Sequence, residues 1–166
     1  MDITFGGNKV NLEGKEIKVG DMAPEFKAVK RDLSDFNSAD LKGKIVVYSV
    51  APSIDTPVCA IQATTFNEEA TKLSDDVKIV TVTVDLPFAQ ERFCSVKGIE
   101  NADIVSDYKY REFGEKYGFM IKEFKLLARG VVIVDRDGKV AYVEYVPEVT
   151  HDVNFEKALE EVKKLK

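Results

Sequence analysis

The hydrophobic rhythm of the chain changes near residue 45. Before it, Ile3 to Val19 runs in short polar–apolar alternations, broken at Gly6-Gly7-Asn8 and Glu13-Gly14, which is the pattern of a β-hairpin. From Ala23-Pro24 to Leu41 no period holds, and the segment reads as irregular up to a turn at Lys42-Gly43. Ile45 to Val50 is then a near-continuous apolar run, as a strand needs when both of its faces are covered. Residues 58–73 read as a helix, 77–84 as a second β-branched strand, and 87–96 as a helix with Pro87 in its first turn. A short strand is expected over 103–105, a helix over 108–117 and a strand over 131–134. Asp137-Gly138 marks a hairpin turn into a partner strand over 139–146. The last element, 154–165, is a charged helix with Phe155, Leu159 and Val162 on one face. The order ββ-βαβαβα-ββα predicts an α/β fold: a central mixed sheet flanked by helices, with an N-terminal hairpin extension over residues 1–20.

Composition narrows the chemistry. No linker, repeat or low-complexity run divides the 166 residues, so one domain over 1–166 is expected. The net charge of −5 and pI near 5.1 argue against nucleic acid and against an anionic membrane surface as partners. Charged residues interrupt the first twenty positions, so a secretory leader is not expected, and the apolar run to Pro52 is too short to span a bilayer. The reading is a cytoplasmic protein. Two Cys, one His and no Trp leave Cys59, Cys94 and His151 as the soft ligands, too few for a structural zinc site within one chain. In a reducing compartment two Cys are read as free or catalytic before they are read as a permanent bridge.

Cys59 stands in Pro52-Ser53-Ile54-Asp55-Thr56-Pro57-Val58-Cys59. Thr56 is a good N-cap and Pro57 fits the first helical position, which puts Cys59 in the first turn. Unpaired backbone N–H groups and the macrodipole both favour a thiolate there. A buried structural Cys is the alternative on position alone, and the polar, Pro-rich approach loop tilts the balance toward function. Cys94 lies 35 positions on, so the pair is not a C-x-x-C motif. It falls about two turns into the next helix and, taken alone, reads as packing beside Phe93 and Val96. Any Cys59–Cys94 bridge calls for some unwinding, because a disulfide needs its Cα atoms within ~4.4–6.8 Å.

Pro52, Thr56 and Cys59 reproduce the P-x-x-x-T-x-x-C motif of peroxiredoxins, and the chain resembles the thiol peroxidase subfamily, the atypical two-cysteine members of this thioredoxin-like superfamily. Ser53 to Cys59 with Phe66-Asn67, Asp85 to Gln90 running on to Arg92-Phe93-Cys94, and Leu126-Leu127-Ala128-Arg129 carry the resemblance, in the family's order and over nearly the whole chain. The chain departs from the family at Thr64, where an Arg is usual, and in a shorter segment over Lys122 to Lys125. The resemblance implies a thioredoxin-like fold and a peroxidase in which Cys59 is the peroxidatic and Cys94 the resolving cysteine. It implies that Arg129 and Thr56 aid the Cys59 sulfur and the peroxide, and that Pro52 shields it from water. It further implies a hydroperoxide substrate, thioredoxin as reductant, a homodimer, and no metal or organic cofactor. A disulfide oxidoreductase on the same fold lacks its C-x-x-C here, and a redox sensor signalling through the same bridge is the remaining alternative. His151 reads as surface or capping. Tyr108, Tyr110, Phe113, Tyr117 and Phe119 read as core and interface packing.

Overall fold

The computed structural model describes residues 1–70, 72–99 and 103–166. The N-terminal hairpin pairs β1 (Ile3–Phe5) with β2 (Asn8–Val10) and is shorter than expected. The next strand, β3 (Leu12–Glu13), leaves it to pair with β9 (Met120–Ile121). The stretch read as irregular contains β4 (Lys27–Lys30) and β5 (Asp35–Asn37). Ala28 and Val29 are buried side by side, because β4 lies inside the sheet and is covered on both faces, so no alternation marks it. The turn between the two strands carries Leu33 at φ 73°, a conformation no Gly or Asn announces.

A seven-stranded sheet forms the centre, in the order β11-β10-β6-β7-β8-β4-β5. Here β6 is Ile45–Val50, β7 Val77–Thr83, β8 Asp103–Ser106, β10 Gly130–Val134 and β11 Val140–Tyr145. The neighbours β6, β7 and β8 run parallel, and the remaining pairs are antiparallel. All six residues of β6 are buried, as its unbroken apolar run foretells. Its side chains alternate between two cores. Ile45 and Val47 meet Phe66 of α1 (Pro57–Ala70) and Ala158 and Val162 of α4 (Phe155–Leu165). Val46, Tyr48 and Val50 face Phe26 and, on α3 (Glu112–Tyr117), Phe113 and Tyr117. The predicted helix over 58–73 includes residue 71, outside the described residues. Leu73 lies in a bend.

The helix expected from 108 begins at Glu112. Asp107 is the reason: its carboxylate accepts from Phe113 N at 3.0 Å and Gly114 N at 2.9 Å, and Arg111 precedes the helix at φ 56°. Of the aromatic series, Phe113, Tyr117 and Phe119 are buried, with the first two stacked at 4.5 Å. Tyr108 and Tyr110 are half-buried, and Tyr110 donates to Asp35. The remaining helix, α2 (Pro87–Lys97), packs beside β8 around a small cluster of its own. Among the described residues no helix is long and apolar enough to cross a membrane.

Candidate active site

The parallel strands β6 and β7 end on the same side of the sheet, and each passes into a helix there. The loop between β6 and α1 is fixed before the helix starts. Asp85, just past β7, accepts from Ser53 Oγ at 2.7 Å, Ile54 N at 2.8 Å and Thr83 Oγ1 at 2.8 Å. Pro52 is buried within this loop. Thr56 then caps α1 as its sequence predicts. Its Oγ1 accepts from Cys59 N at 3.2 Å and donates to Ser53 O at 3.3 Å. Cys59 is the third helical residue and is 1% exposed.

Arg129 comes to this sulfur from the far side of the chain. It stands directly before β10, beside β6 in the sheet, and is 2% exposed. Nη2 donates to Cys59 Sγ at 3.0 Å, Nη1 to Gln62 Oε1 at 2.8 Å and Nε to Val149 O at 2.7 Å. Gln62 is itself anchored: its Nε2 donates to Ser49 Oγ at 2.8 Å and Val50 O at 3.1 Å. Gly130 lets the strand close in behind the Arg. A Cβ there would lie 2.0 Å from Glu144 O and 2.6 Å from the Phe119 ring. The short segment over 122–125 is a tight turn, with Lys125 at φ 54° and its N donating to Ile121 O.

The partners of Arg129 decide what this arrangement can do. Two are neutral oxygens and the third is a sulfur, and none of the ion pairs among the described residues includes Arg129. A buried guanidinium without a carboxylate is costly to hold unless a counter-charge appears. The group that faces it at hydrogen-bond distance is the Cys59 sulfur. Donors fixed around a buried sulfur are also placed to stabilise charge developing on an oxygen bound to it.

Cys94 lies on the other helix, 2% exposed, and packs with Phe93, Ile54, Ala63, Ile99 and Ile104. Val96 does not share that contact: it is 76% exposed. Both cysteines are free. Burial pushes the Cys94 thiol up, with the Arg31 guanidinium opposing. The structure thus joins Cys59, Arg129 and the Thr56 cap at one point and keeps Cys94 in the adjoining apolar cluster. His151 is exposed in the turn before α4, whose cap is Asn154. Sequence reasoning missed Gln62 and the structural role of Asp85. The one available signal for Gln62 was its place one turn beyond Cys59, on the same helix face.

The redoxin family matches residues 18–161. A thiol peroxidase of Bacillus subtilis is 49% identical over 164 residues, which cover 99% of this chain and 98% of that protein. A thiol peroxidase of Halalkalibacterium halodurans is 50% identical over 161 residues, covering 97% and 96%. Among solved structures, a peroxiredoxin-like protein from Aquifex aeolicus superposes with a TM-score of 0.93 at 41% identity, covering 99% of this chain and 97% of that one.

Proposed function

Because the chain belongs to the redoxin family, as a peroxiredoxin-type thiol peroxidase with a thioredoxin-like fold, we propose that its thiol-dependent peroxide reduction runs through Cys59 and Cys94. The observation that carries the reading is the buried Arg129 whose Nη2 donates to Cys59 Sγ at 3.0 Å. In the first step the Cys59 thiolate attacks one oxygen of a hydroperoxide. The S–O bond forms as the O–O bond breaks, and the departing oxygen takes up a proton to leave as water or an alcohol. Sulfur is oxidised to the sulfenic acid. Arg129 stays charged throughout and faces the sulfur at which charge shifts. Thr56 holds the helix start, and Pro52 belongs to the wall that keeps water off the sulfur.

In the second step Cys94 attacks the Cys59 sulfenic acid, water leaves and an intramolecular disulfide forms. A dithiol donor of the thioredoxin type then reduces it by exchange through a mixed disulfide. Hydrogen peroxide and organic hydroperoxides both fit this chemistry, as does a reducing cytoplasm, and a homodimer is the family's form. No step calls for a metal or an organic cofactor. A redoxin fold with two separated cysteines supports this cycle over dithiol exchange by a C-x-x-C pair.

The test is NADPH consumption with thioredoxin and its reductase, followed on peroxide addition. Cys59→Ser is expected to abolish it. Cys94→Ser is expected to keep the first oxidation, accumulate sulfenic or over-oxidised Cys59, and lose thioredoxin-linked turnover. Undiminished turnover in Cys59→Ser defeats the reading of Cys59. Undiminished turnover in Cys94→Ser, with no Cys59–Cys94 bridge by mass spectrometry in oxidised wild type, defeats that of Cys94.

A further inference from the structure

Arg129 is tied twice to the loop that follows β11. Its backbone O accepts from Val146 N at 2.9 Å, and its Nε donates to Val149 O at 2.7 Å. A guanidinium is planar with its donors in a fixed fork, so an acceptor on Nε helps set the plane in which Nη1 and Nη2 lie. Nη2 is the donor to Cys59 Sγ. The Val149 carbonyl belongs to no strand or helix: β11 ends at Tyr145 and α4 starts at Phe155. A functional group carried on a loop is only as well placed as the contacts that fix the loop.

Those contacts come from the other end of the chain. Thr4 of β1 forms a parallel bridge with Glu148: Thr4 N donates to Pro147 O at 2.8 Å and Val149 N to Thr4 O at 2.9 Å. The Glu148 carboxylate then gathers five donors. Oε1 accepts from Gly7 N at 2.7 Å and Thr4 Oγ1 at 2.9 Å. Oε2 accepts from Thr150 Oγ1 at 2.7 Å, Thr150 N at 2.8 Å and Gly6 N at 3.2 Å. Gly6 and Gly7 have φ of 61° and 83°, which lets the hairpin turn present both N–H groups to one carboxylate. Val149 itself is fully buried, in the core cluster that holds Ile3 and Val10 of the hairpin. The hairpin lies ahead of residue 18, where the redoxin match begins.

We propose that Glu148 is a positioning residue for the oxidation of Cys59: it locks the N-terminal hairpin to the loop after β11, so that the Val149 carbonyl keeps the Arg129 guanidinium aimed at the Cys59 sulfur. The proposal rests on the reading of Cys59 and Arg129 given above. Glu148 touches neither the sulfur nor the peroxide and acts through Arg129 alone. Cys94 packs in a separate cluster, so the second step does not depend on this lock.

A staple of the hairpin and a positioning residue make different predictions. Glu148→Ala is expected to slow the second-order oxidation of Cys59 by hydrogen peroxide about five-fold, the net worth of one hydrogen bond, with the rate of Cys59–Cys94 disulfide formation unchanged. Glu148→Gln keeps one acceptor oxygen and recovers part of the rate. Thr4→Val removes one donor to the carboxylate, keeps the strand, and is expected to act in the same direction with a smaller effect. Hydrogen exchange at Arg129 Nε–H, followed by NMR in the reduced protein, is expected to quicken in Glu148→Ala. In an Arg129→Ala background Glu148→Ala is expected to cost no further rate, because no guanidinium is left to misplace, although it still lowers the melting midpoint. Wild-type oxidation kinetics in Glu148→Ala, or the same slowing with and without Arg129, reduces Glu148 to a staple and overturns the proposal, leaving the roles of Cys59 and Arg129 intact. Should Glu148→Ala fail to fold, wild-type rates and Nε–H exchange in both Glu148→Gln and Thr4→Val overturn it equally. Wild-type oxidation in Arg129→Ala removes the Arg from the first step, and the role of Glu148 falls with it.

Discussion

At the residue scale the site depends on how Arg129 is held, and Gln62 does most of the holding. Its amide joins the guanidinium to the end of β6 through Ser49 Oγ and Val50 O, so the Arg is aimed before any peroxide arrives. Gln62→Ala leaves Nη1 without that acceptor in a site closed to water. Its expected effect is about a ten-fold fall in the second-order rate of Cys59 oxidation, with the rate of disulfide formation unchanged. Arg129→Ala removes the donor to sulfur itself, and a loss of about 10²–10³-fold is expected, as for other aimed donors. Stopped-flow measurement of the first step checks both. A Gln62→Ala enzyme with wild-type oxidation kinetics removes Gln62 from the machinery. The two residues also mark how far a single chain can be read. Cys59 was legible because Thr-Pro announces a helix start and the thiol falls in its first turn. Arg129 was legible through its motif alone, since its contact spans 70 positions of sequence. Gln62 was not, because a neutral amide among apolar helical positions looks like any other partly polar helix residue.

The elements differ in how firmly they are held, and α2 is the weakest of those around the site. It has eleven residues, near the length at which a helix depends on packing for its stability. Leu86 at its N-cap offers no side-chain hydrogen bond, and Gln90 Oε1 is buried with no partner among the described residues. Its C-terminus closes on Cys94 itself: Gly98, at φ 66°, and Ile99 both donate their backbone N–H to Cys94 O. Drawing Cys94 toward Cys59 therefore opens the cap that ends the helix. Hydrogen exchange is expected to show α2 opening more readily than β6 in the reduced protein. On oxidation by peroxide the Gly98 and Ile99 amides are expected to lose protection. An oxidised protein that carries the disulfide with α2 still protected contradicts this. The same weakness of signal explains which elements the sequence hid. The strands β6, β7 and β10 were legible because each is a dense β-branched run. β4 and β5 were not, since a four-residue and a three-residue strand joined through Arg31-Asp32-Leu33-Ser34 carry neither a period nor a turn signature. The late start of α3 was hidden for a further reason: it is set by Asp107 reaching forward to two backbone N–H groups, a contact that no local pattern encodes.

At the scale of the whole molecule, the ionisable groups set the pH at which the fold is most stable. Asp107 is fully buried, and its carboxyl is pushed up to about 6, mainly by burial, against the two N–H groups it accepts from. Its folded value lies above its ordinary value of 3.8, so the folded state binds the proton more readily and stability is gained as pH falls through about 6. Surface carboxylates act in the opposite sense. Hydrogen bonds from Ser74 and Arg136 hold Asp76 down to about 2, and those from Thr150 and Gly7 hold Glu148 well below the usual carboxylate range. Lys42 lowers Glu25, and Asn11 lowers Glu123. Their contributions are complete above the ordinary value of 4.5 for Glu and are lost as pH falls below it. At the alkaline end burial raises Tyr48, Tyr117 and Tyr142, and Tyr145 to about 12, so what they contribute is lost as pH rises above their ordinary value of 10. The reduced protein is therefore expected to be most stable near about pH 5, between the protonation of Asp107 and that of the surface carboxylates. Urea midpoints measured under reducing conditions should rise from neutral pH to that point and fall on either side. Asp107→Asn should abolish the rise, since the charge that burial penalises is gone. A wild-type midpoint that stays flat from neutral pH down to about 5 and only then falls excludes the assignment, because the surface carboxylates alone produce that profile.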